Sequence, residues 1–376
     1  MIYINKLKKI VYCLFTVFAS AVQIPGDEEV TKAVGLFYNY DTKVAVQILT
    51  EARNIYPENP RVHFTWAAAR MLENEAHSPI VESYKILEND LNEIIPILKR
   101  LSEVHSDIPD YQLYFGSAIG LKARIYLGKK EWFPTIINAY KGFRIIQKIE
   151  KKHPELVDAK LPIGIVEYFA GINPGFIQLT AKLFGLKAKR QVGLRKIKQA
   201  VSTGEYSHIE AKKIMSFLNL WVEKDLNAAL KYSEELNRKF PNNYFFSIMY
   251  LESLIKTGNW ENSRRLIEQL NEELTSLTPI QQNWYKSYLV YEKSLYYFLN
   301  SEYDKALHHV NYSIDNYHAE LDIILSHAHL LKGKIHDIKN EREKALQSYK
   351  KCIKLDNYSS AIAEAETYLK NRYILQ

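Results

Sequence analysis

The sequence IMSFLNLWVEKDLNAALKYSEELNRKFP, residues 214–241, contains the pattern on which the fold prediction rests. Phe217 and Leu220 belong to an apolar helix, and a turn follows at Lys224 and Asp225. A second helix begins after this turn, has the small residue Ala229 near its start, and ends before a proline. The stretch therefore predicts two antiparallel helices that approach closely at Ala229.

The same frame recurs along the chain. Ser263 lies 34 residues after Ala229 and follows the turn Gly258-Asn259-Trp260. Two further blocks place Ala306 and Ala345 at this point, after 43 and then 39 residues. An N-terminal block has the frame at Tyr40, Ala45, Leu49, Ala52 and Tyr56-Pro57. Five blocks in one register predict an all-α array of stacked helix pairs.

This frame resembles that of the tetratricopeptide repeat (TPR) family. The resemblance depends on Gly333, Ala345, Tyr349 and Cys352 in the last block, on Ala229 with Pro241, and on Ala45 and Ala52 with Pro57. The aromatic-Leu-Gly-Tyr signature of the first helix is mostly missing, and Ser263 stands where alanine is usual. The resemblance implies a right-handed TPR-like superhelix, in which the first helix of each pair lines a concave groove.

We divide the chain into a leader, degenerate repeats at 22–160, an insertion at 161–200 and C-terminal repeats at 201–376. Glycines and prolines concentrate in Leu161–Leu186, which we expect to be a short-helix insertion that interrupts the repeats. The stretch Asp158–Asn243 resembles uncharacterised bacterial envelope TPR proteins and, distantly, the inclusion-body clearance TPR family. Neither group offers catalytic residues to transfer.

Residues 1–21 have the organisation of a secretory signal. Lys6, Lys8 and Lys9 precede the apolar stretch Ile10–Phe18, and Ala19-Ser20-Ala21 has the form that signal peptidase accepts. An uncleaved anchor and lipidation at Cys13 are the alternatives, but the apolar stretch is short for spanning a bilayer. We therefore predict a protein secreted across the inner membrane, either periplasmic or associated with the outer membrane.

Composition and motifs disfavour an enzyme. Only 14 glycines and 12 prolines count against a sandwich, barrel or dinucleotide-binding enzyme, and 2 cysteines exclude a disulfide framework. Phosphate-binding loops, nucleophile elbows and zinc-protease helices are absent from the sequence. His327, His329 and His336 lack the spacing that metal ligands need on one helix, and Cys352 resembles a small core residue. We predict no catalytic residue, metal or cofactor.

Tyrosines and basic residues are the candidate binding features. The chain has 27 tyrosines, and those that we assign to the concave groove are Tyr244, Tyr250, Tyr288 and Tyr291, with packing between repeats as the alternative. The formal net charge is +7, and no acidic residue occurs between Tyr168 and Gly204. This stretch contains a candidate basic patch formed by Lys182, Lys187, Lys189, Arg190, Arg195, Lys196 and Lys198.

These features support two functions. The first is a non-enzymatic scaffold of the bacterial envelope that binds a protein or peptide in the tyrosine-rich groove. The alternative is a membrane-associated or lipid-handling protein that docks on an anionic membrane through residues 161–198. The basic patch could equally be a solvated helix face, and the apolar part could fill the interior of the superhelix. We expect no nucleic-acid partner.

Overall fold

A computed structural model describes residues 23–129, 131–172, 189–319 and 321–375. These residues form 17 α-helices, one short 3-10 helix at Val157–Ala159 and no strand, which confirms the all-α TPR-like prediction. The predicted leader lies outside the described residues. The helices are α1 Asp27–Tyr38, α2 Thr42–Ile55, α3 Pro60–His77, α4 Ile80–Val104, α5 Pro109–Gly128, α6 Trp132–Lys152, α7 Lys160–Ile172, α8 Arg190–Thr203, α9 His208–Trp221, α10 Leu226–Lys239, α11 Tyr244–Lys256, α12 Trp260–Leu274, α13 Pro279–Leu299, α14 Tyr303–Asp315, α15 Ile323–Ile338, α16 Arg342–Lys354 and α17 Ser360–Lys370.

The helices form a layered array. Each odd-numbered helix packs against the even-numbered helix that follows it. Odd-numbered helices also pack against one another, as α1 does with α3, α9 with α11 and α13 with α15, and we call them the inner helices. The even-numbered outer helices are amphipathic: α10 buries only Ala229, Ser233 and Leu236, which lie on one face.

Backbone geometry confirms the repeat register independently of side chains. The turn between inner and outer helix contains a residue with positive φ in five pairs, at Tyr40 (67°), Lys224 (61°), Gly258 (73°), Ser301 (64°) and Asn340 (63°). Each is followed five residues later by the small residue of the frame, namely Ala45, Ala229, Ser263, Ala306 and Ala345. All five small residues are completely buried, because outer and inner helices cross there.

The Gly333 and Tyr349 pair of the TPR frame packs α15 against α16. A Cβ atom added at Gly333 would collide with the Tyr349 ring. The Tyr349 hydroxyl donates to Asp337 Oδ2 at 2.9 Å, so the ring is held at both ends. Glycine at 333 is therefore required by close packing rather than by backbone conformation.

Only the first part of the predicted insertion lies among the described residues. Leu161–Ile172 lies in the 13-residue helix α7, which packs against α8 as another antiparallel pair. A Cβ atom at Gly193 would lie 2.5 Å from the Gly164 carbonyl oxygen, so the two glycines permit a close helix crossing. The described part of the segment therefore continues the repeats, and residues 173–186 lie outside the described ranges.

A buried ion cluster holds the starts of the first three inner helices together. Arg61 of α3 bonds to Asp27 of α1 at 2.5 Å and to Asp110 of α5 at 2.6 Å. The three side chains are at most 8% exposed. Because removing one member would leave uncompensated buried charge, this cluster should contribute strongly to the stability of the N-terminal half.

Candidate functional site

The first two helix pairs close against the middle of the array. The Tyr38 hydroxyl donates to Glu210 Oε2 at 3.0 Å, and Asn243 Nδ2 donates to the Tyr38 carbonyl at 2.8 Å. The hydroxyl groups of Tyr40 and Tyr285 are hydrogen-bonded at 2.7 Å. Helix α3 also packs against α13. The ends of α1 and α3 therefore cover the inner face of α11 and α13 across a sequence separation of about 200 residues.

An aromatic cavity lies at this contact, and we call it the inner cavity. Its volume is about 210 Å³, which corresponds to roughly seven water molecules and is below the usual size of a drug-binding pocket. It has room for one large side chain of a partner. Its walls consist of Phe37, Tyr38, Tyr40, Leu72, Glu75, Ala76, Arg124, Lys213, Asn243, Phe245, Phe246, Gln281, Trp284, Tyr285, Tyr288, Ala319 and Leu321.

Charged groups border this aromatic surface. Arg124 Nη2 lies 3.5 Å from Glu75 Oε1, and Lys213 Nζ lies 3.1 Å from Glu210 Oε1. Burial raises the pKa of Tyr40 and of Tyr285 above the usual range, so both hydroxyls remain protonated and can donate or accept. The cavity thus combines apolar ring faces with polar groups that can orient a peptide.

The structure brings only one of the four predicted groove tyrosines to the cavity. Tyr288 lines it, whereas Tyr244 is buried and donates its hydroxyl to the Leu270 carbonyl at 2.9 Å. Tyr291 is buried beside Glu252 and Glu292. Tyr250 is half-buried near Glu234 of the outer helix α10, on the side of α11 opposite Phe245. The expectation that Tyr244 and Tyr291 line a groove is therefore corrected, because packing between repeats buries both rings. The assignment of Tyr250 stays a prediction.

Sequence reasoning missed the cavity residues that replace them. Trp284 and Phe245 are half-buried and line the cavity, and Tyr40 reaches it from the first turn of the chain's repeats. The positive φ of Tyr40 was not predictable, because a tyrosine rarely adopts it. The sequence did offer one indication of this aromatic surface: Trp284 and Tyr288 lie one helical turn apart and therefore on the same face of their helix.

A buried pair of glutamates lies further along the same inner helices. Glu252 and Glu292 are completely buried, and Trp221 Nε1 donates to Glu252 Oε2 at 2.7 Å. Lys256 Nζ lies 2.5 Å from the other Glu252 oxygen. Burial, followed by the charge of Glu252, raises the pKa of Glu292 well above its usual range. Burial therefore favours the protonated form of Glu292, which can donate a hydrogen bond to a neighbouring carboxylate such as Glu252.

A second carboxylate in this region, that of Glu364, has a pKa that is shifted in the opposite direction. Burial alone would raise the pKa of Glu364, but the ammonium groups of Lys334 and Lys224 outweigh it and hold the pKa at about 2. Lys334 Nζ lies 2.7 Å from Glu364, and Lys224 Nζ lies 2.8 Å from it. Burial holds the pKa of the nearby His327 well below its usual range, so the ring is neutral. Inner helices α9 to α17 thus share one polar cluster.

This cluster offers no metal site. Among the residues that the structure describes, no three His, Cys, Asp or Glu side chains are placed to hold a metal ion. Burial lowers the pKa of His329 to about 4 and raises that of the buried Cys352 thiol to about 12. A thiol with that pKa is not a nucleophile at neutral pH, as expected for a core cysteine.

Only some residues of the predicted basic patch are both exposed and free of ion pairs with the described residues. Lys182 and Lys187 lie outside the described residues. Arg190 is paired with Glu223, and Lys196 contacts Glu150 at 3.1 Å and Glu167 at 3.5 Å. The members that are exposed without an ion pair to the described residues are Lys189, Arg195 and Lys198.

The described part of the apolar segment faces the interior. Leu161, Ile163 and Tyr168 are buried against neighbouring helices, so they are not available to contact a membrane. Over the described ranges, every helix is either too short or too polar to cross a bilayer. These three side chains pack within the repeat array, whereas Phe169 of the same helix is 37% exposed; the alternative that the apolar segment fills the interior of the superhelix stays a prediction.

The fold and site define this chain as a TPR-like helical repeat protein with a partly open inner cavity. No protein-family model and no curated protein matches it. A crystal structure of a tetratricopeptide repeat protein from Parabacteroides merdae is similar, with 13% identity, a TM-score of 0.44, and coverage of 82% of this chain and 99% of that one.

Two further solved structures are similar at the same level. NprR in complex with its cognate peptide NprX has 13% identity and a TM-score of 0.42, with 92% of this chain and 82% of that chain covered. The human IFIT1 dimer with PPP-AAAA has 13% identity and a TM-score of 0.41, with 93% of this chain and 85% of that chain covered. Likenesses of this strength carry no conclusion about what this chain binds.

Proposed function

We propose that this protein is a non-enzymatic binding scaffold of the bacterial envelope, which holds a protein or peptide partner by one apolar side chain inserted into the inner cavity. The observation that supports it is the aromatic lining, which is contributed by the N-terminal helix pairs and by α11 and α13 in the middle of the array. Rigid aromatic rings supply large apolar area at low entropic cost, and such anchors dominate the binding energy of peptide complexes. The inserted residue would contact Tyr40, Phe245 and Trp284.

Polar groups beside the cavity fit a peptide better than a free apolar molecule. Glu75, Arg124 and Lys213 border the aromatic walls, and an extended peptide needs hydrogen-bond partners for its backbone next to the anchored side chain. The cavity is too small to enclose a larger ligand completely. Most of the partner therefore lies outside it, along the inner helices.

The experimental test compares substitutions at two neighbouring positions, Ala319 and His318. Ala319 lines the cavity, whereas His318 is exposed and does not. Peptides selected from a random displayed library on the full chain are titrated by calorimetry against the parent, Ala319→Trp and His318→Trp. We expect Ala319→Trp to fill the cavity and weaken binding by at least about tenfold, with His318→Trp unchanged. Equal affinities for all three proteins would contradict the proposal.

The envelope location is a separate part of the proposal and depends on the leader. We expect export followed by cleavage after Ala21, so that the mature chain begins at Val22. Intact-mass measurement of the protein purified from the periplasm and from membranes tests this. A cytoplasmic protein that retains Met1 would contradict the envelope assignment without affecting the cavity.

A further inference from the structure

The outer helix α6 carries a basic stripe that the sequence patch did not include. Lys141, Arg144, Lys148, Lys151 and Lys152 are all exposed. At 100° per residue they fall within an arc of about 100°, and they extend over roughly 16 Å of helix. None of the five forms a hydrogen bond or ion pair with the residues that the structure describes.

The basic stripe on α6 contains no acidic residue. The only carboxylate on α6 is Glu150, which lies outside the arc and is paired with Lys196 of α8. Helix α8 contains no acidic residue, and its Arg195 and Lys198 are exposed. The five cations on α6, and Arg195 and Lys198 on α8, are thus exposed to solvent and form no ion pair with the described residues.

An aromatic side chain lies in line with these cations. Phe133, at the start of α6, falls in the same arc and is 76% exposed. A surface groove borders the basic end of the helix and is lined by Arg144, Ile145, Gln147, Lys148, Lys151 and Lys152. A helix face that combines cations with an exposed aromatic ring matches the chemistry of the interface between lipid headgroups and acyl chains.

We infer that α6 is a docking surface for an anionic membrane, with the five cations facing lipid phosphates and Phe133 at the acyl boundary. It differs from the membrane contact first considered, because Leu161–Ile172 is internal and α6 is exposed. Nucleic acid fits less well, because single-strand binding surfaces combine the basic groove with several stacking aromatics. Among the side chains of Phe133–Lys152, only that of Phe133 is an exposed aromatic ring.

Vesicle flotation of the full chain tests this inference. The patch variant is Arg144→Glu with Lys148→Glu and Lys151→Glu. The matched control is Lys350→Glu with Lys351→Glu and Lys354→Glu, which makes the same charge change on exposed positions of the outer helix α16. All proteins share the same leader, so its contribution cancels. Vesicles contain phosphatidylcholine either alone or with about a third phosphatidylglycerol.

We expect the parent and control to float with anionic vesicles and the patch variant to partition at least about tenfold less. Phe133→Ser should weaken binding several-fold without any change in charge. Equal loss in patch and control variants, or equal flotation with neutral vesicles, would overturn the inference. Patch-dependent binding to a single-stranded oligonucleotide without vesicle binding would assign the surface to nucleic acid instead.

The inference is independent of the proposed cavity function. Ala319→Trp leaves α6 unchanged and should float like the parent protein. The patch variant in turn should bind the selected peptides with the parent affinity. Failure of one assay with success of the other therefore shows which of the two surfaces has been assigned wrongly.

Discussion

The pKa values of Glu292 and Glu364 are shifted in opposite directions. The same glutamate-to-glutamine substitution should therefore change the stability of the fold in opposite directions at the two positions. Burial raises the pKa of Glu292 and so favours its protonated form. Glu292→Gln replaces this carboxyl by a neutral group of equal shape that can donate to Glu252. Because the folded-state pKa of Glu292 is raised, its protonated form stabilises the fold below the ordinary value of 4.5, and this stability is lost as pH rises. The loss is up to about 1.4 kcal/mol for each pH unit until the folded pKa is passed.

Glu364→Gln has the opposite sign. The folded-state pKa of Glu364 is about 2 against an ordinary 4.5, so its ion pairs stabilise the fold above pH 4.5, and this contribution is lost as pH falls towards 2. The difference corresponds to about 3 kcal/mol at neutral pH. Glu364→Gln should therefore destabilise the protein at pH 7, whereas Glu292→Gln should stabilise it.

Urea unfolding of the parent and both variants between pH 3 and pH 7.5 measures this. We expect the free-energy advantage of Glu292→Gln over the parent to grow steadily from pH 5 to pH 7. The deficit of Glu364→Gln should instead shrink below pH 4.5. A constant difference between Glu292→Gln and the parent across this range would refute the assignment of a proton to Glu292.

Four further substitutions test the packing. Arg61→Met leaves two buried aspartates without their partner and should cost about 3–5 kcal/mol of unfolding free energy; a cost below about 1 kcal/mol in urea titrations would show that the cluster is dispensable. Gly193→Ala should cost about 1–3 kcal/mol because its Cβ meets backbone, whereas Gly35→Ala, which meets nothing within 4 Å, should be neutral or stabilising by up to about 1 kcal/mol. Similar melting temperatures for these two variants would contradict the close crossing. Asn243→Ala removes both a helix cap and the bond to the Tyr38 carbonyl and should cost about 1–2 kcal/mol, with faster hydrogen exchange in α1; unchanged exchange there would argue against closure.

The repeat register was predictable because it is local. The small residue at Ala229 and its counterparts recurs at a fixed distance from a turn, and a frame of this kind is visible in one sequence. The five positive-φ turns reproduce the same spacing. At α7 and α8 the role of individual glycines was not predictable, because the composition does not distinguish a glycine in a loop from one such as Gly164 or Gly193, which permits two helices to touch.

The cavity was not predictable because its walls are distant in sequence. Tyr40 and Tyr285 meet only when the array closes, and no local pattern specifies that contact. The buried glutamates gave a weak signal: Glu252 is the one acidic residue in the apolar helix α11. The basic stripe on α6 was not recognised in the sequence because Glu150 interrupts its cations along the chain. On the helix, Glu150 lies on a different face from these cations.

Site-specific photo-crosslinking in living cells tests the central claim most directly. Benzoylphenylalanine replaces either Trp284, which lines the inner cavity, or Trp260, which is 38% exposed on the outer helix α12. We predict a crosslinked partner from position 284 that is absent from position 260 and disappears when Ala319→Trp is added. The same crosslinks from both positions, or crosslinks from 284 that persist with the cavity filled, would contradict a partner bound in the inner cavity.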